Sequence, residues 1–245
     1  MNYDSLAALY DLQYADYRED LPFYARLADD FGGPVLELGA GTGRVSEALA
    51  RAGHAVVGVE LSGAMLERAQ LRLADAGLSE RVHLHQGDMR KLDLDQTFPL
   101  VIAPFNAYMH AYTLPEQDAV LAAVKCHLKA GGRFALDLYN PRFRRLDVLK
   151  REAEWSPAAG ERSELFIYQT LDEDAQLITS RYYLDTVLAD GTLKRQTATL
   201  VQRYSTRFEL ERALRNAGFT SLHWFGGFDR RRYTAAAPHL IAVAG

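Results

Sequence analysis

The sequence predicts an α/β fold on a mostly parallel sheet, with a smaller antiparallel sheet inserted late in the chain. Three observations carry that expectation. Residues 33–139 alternate short β-branched runs with helical patterns, as strand–helix–strand units do. Over residues 140–205 the helical patterns give way to strand-like runs divided by acidic and Asp-Gly turns. The parallel pattern is then expected to resume, with Thr206 as N-cap and Gly218 as C-cap of a helix over 207–217 and strands near 219–225 and 239–244.

Residues 1–32 read as two helices and are dense in tyrosine: Tyr3, Tyr10, Tyr14, Tyr17 and Tyr24. The first four fall at helix-like spacings. Such rings offer apolar area with a polar tip. They suit a lid over a ligand, or the docking of a helix pair on the sheet.

The first strand begins at Val35 and ends in Glu37-Leu38. Gly39, Gly41 and Gly43 follow at alternate positions, and a helical pattern starts at Arg44. Glycine turns the backbone sharply and lets it approach a ligand. A helix start offers free N–H groups. The dinucleotide pattern Gly-x-Gly-x-x-Gly is not met, because its third glycine falls one residue early and Arg44 takes the place of a small residue. Glu37 would repel a pyrophosphate and attract a cation. S-adenosylmethionine, with a sulfonium, an ammonium and no phosphate, suits the loop better. The plainer alternative is a tight strand-to-helix turn.

The second strand, 54–59, ends in Glu60, about 20 residues beyond the loop, where an acid can accept both ribose hydroxyls. Glu60 can equally be a surface acid before a helix for which Ser62 is a suitable N-cap. The third strand, 82–86, ends in Gly87-Asp88-Met89. Asp88 can accept from an adenine amino group, and Met89 can lie against the ring. Three consecutive strand ends thus carry Glu37, Glu60 and Asp88, and open α/β sheets bind ligands at the carboxyl ends of their strands.

On these motifs the chain resembles the class I S-adenosylmethionine-dependent methyltransferases. Glu37 with Gly39, Gly41 and Gly43 matches the family's first motif, Glu60 its ribose-binding acid, and Gly87-Asp88-Met89 its adenine contact. Residues 98–103 look like its fourth strand, and residues 128–137 like its turn into the fifth. The resemblance is strong over 33–140 and continues more weakly through Ala217-Gly218-Phe219. It implies a Rossmann-like, doubly wound, seven-stranded and mostly parallel sheet, with the antiparallel sheet inserted after the fifth strand. It implies S-adenosylmethionine as cofactor and no metal. The cofactor contacts it implies are Tyr3, Tyr10, Glu37, Gly39, Ala40, Gly41, Glu60, Leu61, Met65, Asp88, Met89 and Phe105. It divides the chain into an N-terminal lid (1–32), a core (33–140 and 205–245) and an insertion over the acceptor pocket (141–204). The insertion is similar to that of small-molecule enzymes such as amino-sugar and glycine N-methyltransferases. It could instead serve an oligomer interface.

Pro104 to His110 follow the fourth strand. Methyltransferases acting on DNA-base amines or protein glutamine carry Asn/Asp-Pro-Pro-Tyr/Phe there, and this chain does not, which weakens such acceptors. Asn106, Tyr108 and His110 are the candidate catalytic groups, with His110 a general base near neutral pH. Each could instead serve packing, and alignment with desolvation can drive methyl transfer without a base. Strands at 165–170, 176–184 and 193–200 would shape the acceptor pocket. Their aromatic walls would come from Phe166, Tyr168, Tyr182, Tyr183 and Tyr204, and polar contacts from Arg181, Arg195 and Gln202. Alternation puts Tyr182 and Tyr183 on opposite faces. Two clusters, Arg142/Arg144/Arg145 and Arg230/Arg231/Arg232, could grip an anionic acceptor or be solvated faces. Asp229 is a further acceptor-binding candidate.

The 245 residues suit a single domain. Lys and Arg number 28 against 32 Asp and Glu, so no nucleic-acid partner is expected. Cys126, the only cysteine, forms no internal disulfide and falls in a helical pattern, which predicts a place in the core. Met1 to Ser5 lack the features of a signal peptide, and no apolar run approaches the ~18 residues of a membrane span. No membrane association and a cytoplasmic location are expected. The expected activity is methyl transfer from S-adenosylmethionine to a small-molecule acceptor, with nitrogen favoured over oxygen. An RNA or protein methyltransferase of the same fold is the alternative. From other classes come a non-catalytic nucleotide-binding module and an NAD-type oxidoreductase, the latter disfavoured by Glu37 and Arg44. A homodimer stays open.

Overall fold

A computed structural model describes residues 7–141, 146–156 and 160–245. Tyr3, Arg142, Arg144 and Arg145 lie outside the described residues. The first half of the chain alternates as the apolar pattern predicts. Helices α1 (Ala7–Gln13) and α2 (Leu21–Phe31) precede strand β1 (Val35–Leu38) and helix α3 (Arg44–Arg51). Then come β2 (Val56–Glu60), α4 (Gly63–Asp75), β3 (Val82–Gln86), β4 (Phe98–Ala103), α5 (Leu114–His127) and β5 (Leu128–Tyr139). The inserted strands are β6 (Lys150–Trp155), β7 (Arg162–Asp172), β8 (Leu177–Val187) and β9 (Leu193–Arg203). Helix α6 (Arg207–Asn216) and strands β10 (Leu222–Phe225) and β11 (His239–Ala244) close the chain.

Local chemistry explains the helix boundaries. Ser62 Oγ accepts from the Met65 N–H at the start of α4. Thr113 with Glu116, and Thr206 with Glu209, form reciprocal capping boxes at α5 and α6. Gly218, which the sequence marked as the cap of α6, lies one residue past the cap at Ala217, with φ +87°.

Seven strands form one sheet in the order β10-β11-β5-β4-β1-β2-β3, and β6 to β9 form a second sheet in sequence order. The first sheet is Rossmann-like, with its switch point between β1 and β4. Leu36, Leu38, Val101, Phe134 and Leu136 pack on the α5 and α6 side. Val35, Val56, Leu100, Ile102 and Ala135 pack with α2 and α3 on the other.

Three expectations are corrected. The parallel pattern does not simply resume after the insertion, because β11 runs antiparallel to both β5 and β10. Strand β6 was not foreseen, since its Lys, Arg and Glu residues hide any apolar alternation. Cys126 is exposed rather than in the core, because α5 turns Val120, Leu121 and Val124 inward and Cys126 outward.

One ion pair ties the N-terminal helices to the glycine loop. Arg44, the first residue of α3, donates through both terminal nitrogens to the two carboxylate oxygens of Asp20, each at 2.6 Å, just ahead of α2. Both side chains are buried. Removing one partner of such a pair leaves an uncompensated charge and costs about 3–5 kcal/mol. Urea unfolding of Asp20→Ala should show a loss of that size. The double substitution Asp20→Leu/Arg44→Met should recover a large part of it, and an Asp20→Ala protein as stable as the parent would contradict the account.

Candidate active site

Two adjoining cavities open at the carboxyl ends of β1 to β4. The smaller, about 130 Å³, lies against the glycine loop, and the larger, about 260 Å³, lies between the two sheets. Tyr10, Phe105 and His110 line both.

The glycine loop forms the floor of the smaller cavity. Gly39 has φ +69°, and a Cβ there would come within 2.8 Å of the Ala107 methyl. Both facts require glycine. Gly43, at φ +78°, starts α3 against Ala69. Glu60 Oε2 accepts from the Gly41 N–H and Oε1 from the Ser62 N–H, each at 2.9 Å. Its carboxylate thereby fixes the loop relative to the start of α4. Burial pushes its pKa up against these hydrogen bonds. Asp88 lines the same cavity and is ion-paired with Arg90 at 2.7 Å, which lowers its pKa. Gly39, Gly41, Leu61, Met65 and Met89 complete the expected residues on this wall.

Other expected residues lie elsewhere. Ala40 is buried in the loop and off the cavity wall. Glu37 faces away from the cavity, because strand alternation points it, like Val35, towards α3. There it accepts from Ser46 Oγ at 2.5 Å, and burial pushes its pKa up to about 8. It shapes the loop from behind. Tyr108 does not reach either cavity. The short 3-10 turn Ala107–His110 directs it into the apolar core, fully buried, with its hydroxyl lacking a partner. Asn106 lines the larger cavity, and its Oδ1 accepts from the Tyr139 N–H at 2.7 Å.

His110 lines both cavities, with a basicity different from the one expected. Burial pushes its pKa down to about 4. The ring is neutral at neutral pH and is a weak base rather than one poised near 7.

The turn at Phe105 and Asn106 separates the cavities. Both residues hold left-handed backbone, at φ +51° and +66°. Asp137 on β5 secures it, its Oδ1 accepting from the Phe105 N–H at 2.8 Å and from the Tyr24 hydroxyl at 2.5 Å. Burial pushes the Asp137 pKa up to about 7. The Phe105 ring meets Tyr10, Tyr14 and Tyr17 at centroid distances of 6.0, 4.7 and 5.2 Å. Arg44 lies 5.3 Å from the same ring. Tyr24, one of the five N-terminal tyrosines, is thus a buried tether of this turn.

The inserted sheet presents alternate residues to the larger cavity: Ile167 and Gln169, Ser180 and Tyr182, Leu200 and Gln202. Tyr182 faces in. Tyr183 faces the other way, 5.4 Å from the Arg195 guanidinium. Of the insertion's expected acceptor contacts, Tyr182 and Gln202 reach the cavity. Arg195 pairs with Asp185 at 2.6 Å, Tyr168 bonds Asp147, and Tyr204 packs in the main core. Phe166 and Arg181 fall on the outward register. Asp229 and the second arginine cluster are also off both walls, with Arg230 paired to Asp30 at 3.0 Å. Lys150 and Glu152 line the larger cavity from β6, the strand the sequence did not reveal. No cluster of three metal-ligating side chains occurs among the described residues, and no helix there is long and apolar enough to cross a membrane.

Comparison with known proteins follows the same lines. A family described as a methyltransferase domain matches residues 35–132. The chain is 30% identical over 213 residues to the cypemycin N-terminal methyltransferase of a Streptomyces species, spanning 86% of this chain and 82% of that one. It is 32% identical over 133 residues to the dTDP-3-amino-3,4,6-trideoxy-alpha-D-glucopyranose N,N-dimethyltransferase of Streptomyces venezuelae, covering 51% of this chain and 54% of that enzyme. Among solved structures, the CcbJ methyltransferase of Streptomyces caelestis is similar over 98% of this chain and 96% of its own, with a TM-score of 0.79 and 25% identity.

The buried carboxyls give stability a definite pH dependence. Glu37 and Asp137 have folded-state pKa values above their unfolded ones, at about 8 and about 7. In the folded state they hold protons that the unfolded chain has released. Their contribution is therefore full below pH ~4 and is lost as pH rises towards about 8. Urea unfolding should give a lower midpoint at pH 8 than at pH 5.5. Glu37→Gln should flatten part of that slope, and an unchanged slope would contradict the burial argument.

Proposed function

Because the chain belongs to the S-adenosylmethionine-dependent methyltransferases, we propose that it methylates a nitrogen of a small-molecule acceptor held between its two sheets. One observation carries this reading: a cofactor-type cavity at the glycine loop and a polar cavity under the inserted sheet share Tyr10, Phe105 and His110 as a common wall. The name of the Streptomyces venezuelae relative specifies transfer to nitrogen, and that of the cypemycin enzyme an N-terminal site.

The donor set of the smaller cavity fits S-adenosylmethionine. Its acids, Glu60 and Asp88, accept hydrogen bonds from hydroxyl and amino groups. Among the described residues of its wall, the one Lys or Arg side chain, Arg90, is taken up by Asp88 and Glu116, and no other described Lys or Arg there can neutralise a pyrophosphate. Glu60 would hold the ribose hydroxyls. Asp88 would accept from the adenine amino group, with Leu61, Met65 and Met89 against the ring. Tyr10 and Phe105 would wall the sulfonium end. The cofactor supplies an electrophilic methyl group on a cationic sulfur. The protein aligns the acceptor with it and excludes water, two effects that lower the barrier of a displacement. The neutral His110 adds no positive charge against the cationic donor, and Asn106 offers its amide N–H groups on the acceptor side. We assign residues 7–32 as the lid, since Tyr10 closes both cavities, and the inserted sheet as the acceptor cover.

Calorimetry should show that S-adenosylmethionine and S-adenosylhomocysteine bind and that NAD does not. Tighter binding of NAD would overturn the reading. A hydrogen bond to a charged group contributes about 1.5–3 kcal/mol, so Glu60→Ala should weaken cofactor affinity at least about tenfold. Unchanged affinity in a folded Glu60→Ala protein would remove Glu60 from the cofactor site.

The two adjacent tyrosines of β8 provide a separate check. Tyr182→Ala should lower turnover of an amine acceptor with little change in cofactor affinity. Tyr183→Ala should act on thermal stability alone. Equal loss of cofactor affinity in both variants would mean that the insertion belongs to the cofactor site.

A further inference from the structure

Strand β6 is irregular where it meets the larger cavity. Arg151 pairs with Phe166 and Ala153 with Leu165, so Glu152 is the extra residue of a β-bulge. Bulges re-aim side chains and are common beside active sites. This one leaves Lys150 and Glu152 both on the cavity wall. The remaining charges of β6 and β7 are satisfied on the outer face. Arg151 bonds Glu154 and Glu164, and Arg162 bonds the same two acids, at 2.9–3.0 Å. Lys150 and Glu152, by contrast, make no ion pair within 4.0 Å with any described residue, and none with each other. They are the only Lys, Arg, Asp or Glu side chains on the described wall of this cavity. Everything else there is neutral: glutamine, asparagine, serine, tyrosine, the neutral His110 and apolar groups.

The position of the pair links it to the reacting end. Glu152 acts electrostatically on Tyr14 and Tyr182, raising both phenol pKa values beyond the effect of burial. Tyr14 in turn packs on Phe105, the ring between the two cavities, at 4.7 Å.

We propose that Glu152 and Lys150 form a bipartite acceptor subsite. Glu152 faces the acceptor's amine, which binds as the ammonium and loses a proton to water before its lone pair attacks the methyl group, and Lys150 faces an acidic group on the same molecule. Two residues along a strand span about 7 Å or slightly less at a bulge, which sets the separation of the two charges. The acidic group is a carboxylate or a phosphate, both of which an ammonium side chain can hold as a point charge. This rests on the larger cavity being the acceptor site and adds the charge pattern of the acceptor to that reading. Both side chains are exposed at the mouth, so each contributes a modest energy and a selectivity against uncharged competitors.

The test uses protein saturated with S-adenosylhomocysteine, whose binding is first verified by calorimetry. Failure at that step counts against the methyltransferase reading and not against the subsite. The probes are trans-4-aminocyclohexanecarboxylate, the phosphate monoester of trans-4-aminocyclohexanol, cyclohexylamine and cyclohexanecarboxylate. At least one of the two zwitterionic probes should bind about threefold to fivefold more tightly than either single-charge probe, as exposed ion pairs allow. The tighter of the two assigns the acid as carboxylate or phosphate. Glu152→Gln should abolish the advantage conferred by the amine, and Lys150→Gln that conferred by the acid. Cofactor affinity and thermal stability should not change in either variant. No binding of the zwitterions, no preference over the single-charge probes, or a preference unaltered in both variants would overturn the subsite.

Discussion

The buried Asp20–Arg44 pair is the constraint on which the active-site geometry depends. Arg44 begins the helix that the glycine loop leads into, and Asp20 immediately precedes α2. Their two parallel hydrogen bonds hold the loop and the N-terminal segment in one frame. The same guanidinium lies 5.1 Å from the Tyr17 ring and 5.3 Å from Phe105. A charge withdrawn from water needs such partners, so the segments that supply them are held together. An arginine where a dinucleotide loop wants a small residue is thus the anchor of the N-terminal helices.

Beneath that anchor lie acids with different tasks. Glu60 and Asp88 reach the cavity from the ends of β2 and β3. Glu37 and Asp137 are buried beneath it and organise backbone, one behind the glycine loop and one beneath the Phe105 turn. Left-handed backbone at two successive non-glycine residues is costly. Asp137 offsets that cost by accepting the Phe105 N–H, and the Asn106 side chain does so by accepting the Tyr139 N–H. The wall common to both cavities is therefore a strained turn secured from below.

Much of this was legible in the sequence, for physical reasons. Parallel strands buried on both faces give continuous apolar runs, so β1, β2 and β4 are visible, and so are the acids that end β2 and β3. Direction is harder. Glu37 belongs to the same pattern as Glu60, yet one register position turns it towards Ser46. Tyr108 and His110 lie two apart on a tight turn and part company, one into the core and one to the cavity. The basicity of His110 depends on burial by elements distant in sequence, which no local pattern reports. Strand β6 escaped notice because the irregularity at Glu152 breaks its alternation and its charged residues leave only Ala153 and Trp155 to pack on the inserted sheet's apolar cluster.

The N-terminal segment is held at two ends by contacts of opposite character. At the α2 end, Asp20 and Arg44 are dry. At the α1 end, Asp11 reaches Arg68 and Arg72 of α4 at 2.9 and 3.2 Å, with side chains 23%, 41% and 31% exposed. Dissolved ions screen exposed pairs over about 8–10 Å at physiological strength and hardly reach buried ones. The segment whose Tyr10 lines both cavities therefore has one fastening that responds to the electrolyte and one that ignores it. Ionic strength would weaken the Asp11 fastening and leave the Asp20 pair intact, so that at high salt α1 relies on the packing of Leu9 and Tyr10.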